Sequence, residues 1–282
     1  MPLSYAVPTP LEYFASLVAV GPGEDIALLE AAACIAHDEH PDLDVQQFLD
    51  EVDALQERLA RRVPADAAPL HRLNLLNRFF FGDLGFSGNL NDYYAPCNSY
   101  LHLVLRTRRG IPISLAVLWL ELAQGLGLRA YGVSFPGHFL VKVLLPRGQV
   151  VLDPMTGHSL SREALAERLQ PFRSPQAALE DEAPLGLYLQ AAPARDILAR
   201  MLRNLKEIHR SRQDWRRLLA VLNRLIVLLP NAWSEWRDRG LAHAELGQSQ
   251  QAIEDLHTYL THAGDADDAP TIARRIGGLR RA

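Results

Sequence analysis

Residues 134–154 read SFPGHFLVKVLLPRGQVVLDP, and this stretch decides the fold. Two runs rich in Val and Leu, separated by Pro-Arg-Gly, predict two antiparallel strands joined by a tight turn. His138 begins the first strand and Asp153 ends the second, so a hairpin brings both side chains to one end of the sheet. A His beside an Asp forms the base and the orienting group of a catalytic triad. We therefore predict these two members, with Nε2 of His138 facing a nucleophile elsewhere in the chain.

The segment before this hairpin predicts a helix buried on nearly every side. It reads IPISLAVLWLELAQGLG, and Pro112 suits the first turn of a helix. Apolar residues cover most of the helix surface instead of a single stripe. The run LRAYGVSF, which follows the helix, predicts a third strand. A buried helix followed by antiparallel strands indicates an α+β domain.

Composition narrows the class of protein. The chain has 282 residues, 48% apolar residues and a net charge of −4, as expected for one large or two ordinary globular domains. The small net charge argues against nucleic-acid and membrane partners. We expect no secretory signal and no membrane span, and two cysteines are too few for a disulfide framework. A reduced, bacterial-type cytoplasm fits these features.

No cofactor is predicted. The Gly residues of GDLGFSGN follow a helix rather than a strand and lack a nearby Lys, unlike a phosphate-binding loop. His37 and His40 have helical spacing, but charged helix ends explain them more simply than a metal does. A set made of His138, Asp153 and His158 lacks a fourth ligand for zinc. We therefore predict no metal site.

The N-terminal part of the chain is predicted to be mainly helical. Thr9 and Glu12 form a capping box, Asp44 caps a long amphipathic helix, and PLHRLNLLNRFFFGD adds another helix. We therefore expect a helical layer over about the first 80 residues. A loop rich in Gly and Asn follows, and then a short helix capped by Asn98 or Ser99 and stopped at Gly110.

The C-terminal part contains an internal repeat with an offset of about 34 residues, the period of the tetratricopeptide repeat. His209 falls on His243, and Leu222 falls on Leu256. The second copy carries the residues that mark this repeat, namely Trp236, Gly240, Gly247 and Ala252. The first copy is degenerate, with Lys206 and Gln213 at the two Gly positions. We predict an α+β domain over residues 1–188 and a helical repeat domain over residues 189–282.

The order of buried helix, strand, His-bearing strand and Asp-bearing strand resembles the papain-like core of transglutaminase-like proteins. More specifically, NDYYAPCNSYLHLVL, RRGIPISLAVLWLELAQGLGL, YGVSFPGHFLVKV and LDPMTG resemble segments of the Sir-B-type invasion-regulator family. That family joins a transglutaminase-like core to C-terminal tetratricopeptide repeats, and its name implies a role in gene regulation. In the superfamily a catalytic Cys begins the helix, two residues after a Gly and four before an Ala. Gly110 and Ala116 match that pattern, so Pro112 takes the place of the Cys.

Pro112 has no side-chain heteroatom and cannot attack a substrate. Ser114, two positions further, is turned about 200° around the helix and should face away from His138. Ser134 lies close before His138 in sequence. Cys97 lies in the preceding loop and has a chemically suitable thiol. Cys97 and Ser114 are kept as the main candidate nucleophiles.

The segment NDYYAPCNSY carries amide and phenol groups that suit a peptide or small ligand beside a cleft. The candidate ligand-binding residues are Asn91, Tyr93, Tyr94, Asn98 and Pro112. The alternative is a loop in which the same polar groups satisfy buried backbone atoms.

Three functions remain open at this point. The first is a non-catalytic transglutaminase-like protein that acts as a regulatory module and binds a protein or peptide. The second is a hydrolase or acyltransferase that uses His138 and Asp153 with Cys97 or Ser114. The third is a scaffold in which only the repeats bind a partner.

Overall fold

The structure, a computed structural model, describes residues 8–21, 25–172 and 185–281. They form two compact units that are not continuous in sequence. The core unit combines Leu28–Ala33 with Asp44–Ile197. The repeat unit consists of the described parts of Met1–Ala27, Cys34–Leu43 and Leu198–Ala282. The predicted domain boundary between residues 188 and 189 stays a prediction.

The described residues are mainly helical. The helices are α1 (Pro10–Val18), α2 (Leu28–Ala33), α3 (Val45–Ala60), α4 (Pro69–Asn77), α5 (Leu101–Thr107), α6 (Pro112–Gly125), α7 (Arg162–Leu169), α8 (Leu185–Tyr188), α9 (Ala194–Ser211), α10 (Trp215–Leu228), α11 (Trp233–Glu245), α12 (Ser249–His262) and α13 (Ala269–Leu279). A π-helical turn, Arg78–Asp83, extends α4. In this part of the chain, no helix is both long and apolar enough to cross a bilayer.

The strands are β1 (Ser87–Gly88), β2 (Arg109–Gly110), β3 (Arg129–Val133), β4 (Leu140–Leu145) and β5 (Gly148–Leu152). The last three form an antiparallel sheet in the order β3-β4-β5. The predicted hairpin is present, with Val141 opposite Leu152. β1 and β2 form a separate short parallel pair. The predicted α+β class with a buried helix and an antiparallel sheet is confirmed.

The core unit is built around α6. Its residues from Pro112 to Leu120 are all buried, and the helix packs against β3, β4 and α3. Just before it, Gly110 is needed for close packing, because a Cβ there would lie 2.7 Å from Ser114 Oγ and 3.0 Å from Val104. Close packing at the start of α6 therefore leaves no room for a side chain at position 110.

The N-terminal helices begin as predicted. Thr9 and Glu12 form the capping box of α1, and the Asp44 carboxylate accepts the Gln47 N–H at the start of α3. The short helix α5 differs from the prediction. Its N-cap residue is Tyr100, without a side-chain cap, and it ends at Arg108 in a left-handed conformation with φ of 59°. The predicted caps were wrong because the Asn98 side chain bonds instead to Asn89, Asp92 and Tyr93, earlier in the same loop.

The repeat unit confirms the offset between the two helical hairpins. Gly247 has a φ of 73°, and Gln213 at the matching turn has a φ of 56°. At the other Gly position, Gly240 lies against Leu256 and the Ala252 carbonyl. Its counterpart Lys206 is buried and meets two carboxylates instead. The first repeat therefore keeps the turn of the motif but replaces its close helix contact with ion pairs.

Lys206 Nζ lies 2.5 Å from the carboxylate of Glu235 and 2.6 Å from that of Asp238. Arg203 approaches the same Glu235 at 3.1 Å. Glu235 is almost fully buried, and a buried carboxylate is stable only when it is paired in this way. These ion pairs join α9 to α11.

The N-terminal helix α1 packs against α10 within the repeat unit. Buried Arg224 of α10 contacts the Asp38 carboxylate and donates to the Cys34 carbonyl at 3.3 Å. Its guanidinium also lies 5.7 Å from the centre of the Phe14 ring. Burial lowers the pKa of Arg224 to about 10, so it stays charged at neutral pH. These contacts hold α1 and residues 34–43 against the first repeat.

Gly240→Ala should destabilise the repeat unit by about 1–3 kcal/mol, because the new methyl group would lie 2.7 Å from Leu256. Urea unfolding followed by circular dichroism measures the change. Gly278→Ala in α13 is the matched control, since a Cβ there meets no atom within 4 Å. Equal stability of Gly240→Ala and wild type would contradict the close packing of α11 and α12.

Candidate functional site

The structure brings His138 and Asp153 together at one end of the sheet. His138 lies in the turn before β4, where its N–H donates to the Phe135 carbonyl at 3.1 Å. Asp153 follows β5 directly, and its N–H donates to the His158 carbonyl at 2.9 Å. The distance between Nε2 of His138 and Oδ1 of Asp153 is 3.1 Å. The geometry is that of an imidazole oriented by a carboxylate, while a catalytic role for the pair stays a prediction.

The assignment of the two imidazole nitrogens needs a correction. The predicted triad has Nε2 facing the nucleophile, but in the structure Nε2 is the nitrogen that contacts Asp153. A nucleophile or ligand would therefore meet Nδ1. The order of elements alone could not distinguish the nitrogens, because the choice depends on the rotation of the His138 side chain.

Asp153 has further partners that the sequence analysis missed. The Met155 N–H donates to Oδ1 at 3.0 Å, and both terminal nitrogens of Arg168 donate to Oδ2 at 3.1 and 3.0 Å. Burial raises the pKa of Asp153, but the bonds from His138, Met155 and Arg168 outweigh it and lower that pKa from 3.8 to about 2. Asp153 is therefore a firmly ionised, fully engaged carboxylate.

The start of α6 is linked to the Asp153 turn through β1. Gly88 of β1 lies opposite Gly110, two residues before Pro112. The Gly88 N–H also donates to the Met155 carbonyl at 3.1 Å, and the Met155 side chain fills the space beside Gly88. Residue 88 therefore contacts both segments that carry the predicted site.

Position 112 offers no reactive atom. Pro112 is the first residue of α6, and its side chain is buried. The nearby hydroxyl of Ser114 has no exposed surface. It accepts the Ile111 N–H at 3.1 Å and donates to the Asn98 carbonyl at 2.6 Å. Ser114 thus completes the helix start, and this position is unfavourable for a nucleophile.

The other candidate nucleophiles lie outside this buried cluster. Cys97 is an exposed free thiol in the short 3₁₀ turn Pro96–Asn98. Ser134 is also exposed and follows β3. Of the candidate side chains, these two are therefore accessible to a reagent.

The loop before α5 divides into a buried support and an exposed surface. The Asn98 amide donates to the carbonyls of Asp92 at 2.6 Å and Tyr93 at 3.1 Å, and its oxygen accepts from Asn89 at 3.0 Å. Asn91, Tyr93 and Tyr94 are exposed. Among the predicted ligand-binding residues, Asn98 and Pro112 therefore line the interior, while the other three face solvent.

Two aromatic rings flank the site, and the sequence pattern did not predict either of them. A Cβ on Gly137, beside His138, would lie 2.4 Å from the Phe172 ring. A Cβ on Gly157, in the turn after Asp153, would lie 2.4 Å from the Phe81 ring. Both Gly residues have a positive φ, so two independent constraints favour Gly at each position.

Potential metal ligands are dispersed. Within the residues that the structure describes, no three His, Cys, Asp or Glu side chains lie close enough together to hold a metal ion. His37 Nε2 contacts the Leu43 carbonyl at 3.1 Å, and the His158 side chain is exposed.

Comparison with known proteins identifies the family. A model of the transglutaminase-like superfamily matches residues 46–203, which include α6, His138, Asp153 and Arg168. The chain belongs to the transglutaminase-like superfamily. A tetratricopeptide-repeat model matches residues 205–277. Both parts of the predicted architecture are therefore confirmed.

Three bacterial relatives show how far the similarity extends. The chain is 41% identical over 238 residues to a UPF0162 protein of Xylella fastidiosa strain Temecula1, covering 84% of each chain. It is 31% identical to the UPF0162 protein PA3419 of Pseudomonas aeruginosa, covering 91% of this chain and 92% of the relative. Identity to the UPF0162 protein YchA of Escherichia coli K12 is 28%, covering 84% and 87%. The more specific Sir-B-type assignment stays a prediction.

Asp153→Asn should make stability less dependent on pH. The low pKa of Asp153 contributes about 2 kcal/mol of stability, fully present above pH 4 and lost as the pH falls through about 2. Urea unfolding at pH 6 and pH 2 should therefore show a difference between wild type and variant that is about 2 kcal/mol larger at pH 6. Asp66→Asn, at an exposed position, controls for the loss of one charge. A difference that stays constant with pH would contradict this account.

Asn98→Ala should loosen the loop over residues 89–95 and cost roughly 2 kcal/mol, because two backbone carbonyls lose their donor. Limited proteolysis with mass spectrometry should show faster cleavage in this loop. Asn91→Ala removes an exposed amide from the same loop and should leave the cleavage rate unchanged. Equal rates for both variants would show that the Asn98 amide does not support the loop.

Proposed function

We propose that this protein is a non-catalytic member of its superfamily that acts as a cytoplasmic regulatory module and binds a protein or peptide. The observation that carries this proposal is Pro112 at the first position of the buried helix. The thiol that the superfamily uses is expected at that position, and a pyrrolidine ring has no atom able to form a covalent intermediate.

The surroundings of Pro112 support the same interpretation. The nearby hydroxyl of Ser114 is buried, and it bonds to the Ile111 N–H and the Asn98 carbonyl at the start of α6. Asp153 is shared between His138 and the bidentate Arg168. The carboxylate is thereby tied into the structure on both of its oxygens. The site thus contains His138 and Asp153, but the residue at position 112 has no side-chain heteroatom that could act as a nucleophile.

The helical repeats support a binding role. Tetratricopeptide arrays stack helical hairpins into extended surfaces that commonly bind proteins. In this chain the matching model covers residues 205–277. A scaffold in which only the repeats bind the partner is a narrower form of the same proposal.

One observation favours a second candidate, a hydrolase or acyltransferase with a relocated nucleophile. Cys97 is an exposed free thiol. The carbonyl of the next residue, Asn98, accepts a hydrogen bond from the Ser114 hydroxyl near the start of α6. In that candidate the Cys97 sulfur attacks an acyl carbonyl carbon while His138 accepts the thiol proton. The bond from that carbon to the leaving group then breaks, and His138 returns the proton to the leaving group. The two candidates differ in whether His138 changes the reactivity of Cys97.

Labelling of Cys97 with iodoacetamide tests the proposal. We expect Cys97 to react as an ordinary exposed thiol, at a rate that His138→Ala leaves unchanged, since no base activates it. Incubation with 4-nitrophenyl acetate should leave no acyl group that depends on His138. Peptide mass spectrometry measures both reactions. At least a tenfold slower Cys97 reaction in His138→Ala would establish the catalytic candidate instead.

Pro112→Cys in a Cys97→Ser background is the matched variant, because it restores the thiol that the superfamily uses. Its labelling should depend on His138 if position 112 is the lost nucleophile position. Labelling of this variant that is indifferent to His138→Ala would show that position 112 is not the nucleophile position, and it would overturn the proposal.

A further inference from the structure

We infer that a groove formed by β5, α7 and α8 binds an extended segment of a partner protein carrying an apolar side chain and a carboxylate. This inference rests on the proposed function and names the chemistry of the partner. The groove lies within the core unit. Three features of the groove point to this partner: the open edge of β5, the apolar walls beside it and a positive charge at its rim.

The outer edge of β5 is only partly covered. The Leu160 N–H donates to the Val151 carbonyl at 2.8 Å, and Asp153 donates to the His158 carbonyl. Peptide groups alternate in direction along a strand, so the N–H and C=O of Gln149 point to the same side as those of Val151. After Leu160 the chain turns into α7, which starts at the Ser161 cap. The described residues therefore leave the Gln149 end of this edge without a partner strand.

An apolar cavity of about 440 Å³ adjoins the open edge. It is lined by the β5 edge, by the first turns of α7 and by α8. Its apolar walls are Val150, Val151, Leu160, Leu165, Leu185 and Leu189. A strand added to the edge directs every second side chain to one face, so one large apolar side chain of that strand can enter this cavity.

The positive charge of Arg162 at the rim of the cavity favours a partner that carries a negative charge. Among the residues that the structure describes, Arg162 is the single charged residue in the lining, and none of the described lining residues is acidic. It is the first residue of α7 and is exposed, and it forms no salt bridge with a carboxylate of the described residues. A cation beside an apolar cavity favours a partner segment in which an Asp or Glu lies near the apolar residue.

An extended segment fits these features better than a helix or a small molecule does. Backbone groups on an open strand edge can form a ladder of hydrogen bonds with an extended backbone, and these main-chain bonds provide affinity. The cavity and Arg162 then provide specificity through individual side chains. Such a partner requires no covalent chemistry, in agreement with a superfamily member that carries Pro112.

A phage-displayed heptapeptide library selected on the full chain tests the inference. We expect enriched peptides with alternating apolar residues and an Asp or Glu. Selection on Arg162→Glu should invert the preference to Lys or Arg. Arg147→Glu is the matched control, because Arg147 is exposed in the β4–β5 turn and does not line the cavity.

Two measurements on an enriched peptide locate its binding. Hydrogen exchange should slow at Gln149 and Val151, whose N–H groups face the outer edge, and should stay unchanged at residues 205–277. N-methylation of alternate peptide bonds should weaken binding at least tenfold, while methylation of the intervening bonds should have little effect, since only alternate groups face β5. Fluorescence anisotropy measures the affinities.

Several outcomes would overturn the inference. These are a lack of enrichment, protection confined to residues 205–277, or a charge preference that Arg162→Glu leaves unchanged. Enrichment only after residues 173–184 are replaced by a Gly-Ser linker would show that the chain's own segment occupies the groove. Activation of Cys97 by His138 would overturn the proposed function but not this peptide binding, so the two failures are distinguishable.

Discussion

The carboxylate of Asp153 is the interaction on which the predicted site depends. It receives hydrogen bonds from His138 before β4, from the Met155 N–H in the following turn and from Arg168 in α7. Burial alone would favour its neutral form, but these donors keep it charged and lower its pKa to about 2. Because both oxygens are engaged, the carboxylate orients the imidazole and also attaches α7 to the end of the sheet. Catalysis is therefore not needed to explain why the chain retains a His–Asp pair.

The second constraint is the buried start of α6. Gly110 allows the close approach of Ser114 and Val104, and Pro112 begins the helix without needing an N–H partner. Ser114 then satisfies the Ile111 N–H and the Asn98 carbonyl. The polar groups at this helix end are thus matched within the protein. The start of α6 is therefore a packed junction with the loop over residues 89–98.

The repeat unit shows how a short array can be stabilised. Two tetratricopeptide-like hairpins are fewer than such arrays usually need, because each repeat buries its apolar face against its neighbours. Here α1 adds a further packing layer on α10, held by Arg224 through Asp38 and the Cys34 carbonyl. Between the hairpins, Lys206 and Arg203 neutralise the buried Glu235. Polar contacts thus take the place of the small-residue contact that the motif lacks in its first copy.

The sequence by itself determined the features that local periodicity encodes. Alternating Val and Leu runs around Pro-Arg-Gly predicted the β4–β5 hairpin, and the hairpin alone implied that His138 meets Asp153. The offset between His209 and His243 likewise predicted paired helical hairpins. Only the tertiary structure decided which imidazole nitrogen faces Asp153, that Arg168 donates to the Asp153 carboxylate, and that the Ser114 hydroxyl is buried. It also decided that α1 and residues 34–43 cluster with the repeats, although the sequence suggested one N-terminal helical layer. The reason is physical: a helix or hairpin follows from neighbouring residues, whereas these contacts depend on the rotation of side chains and on packing between segments far apart in the chain.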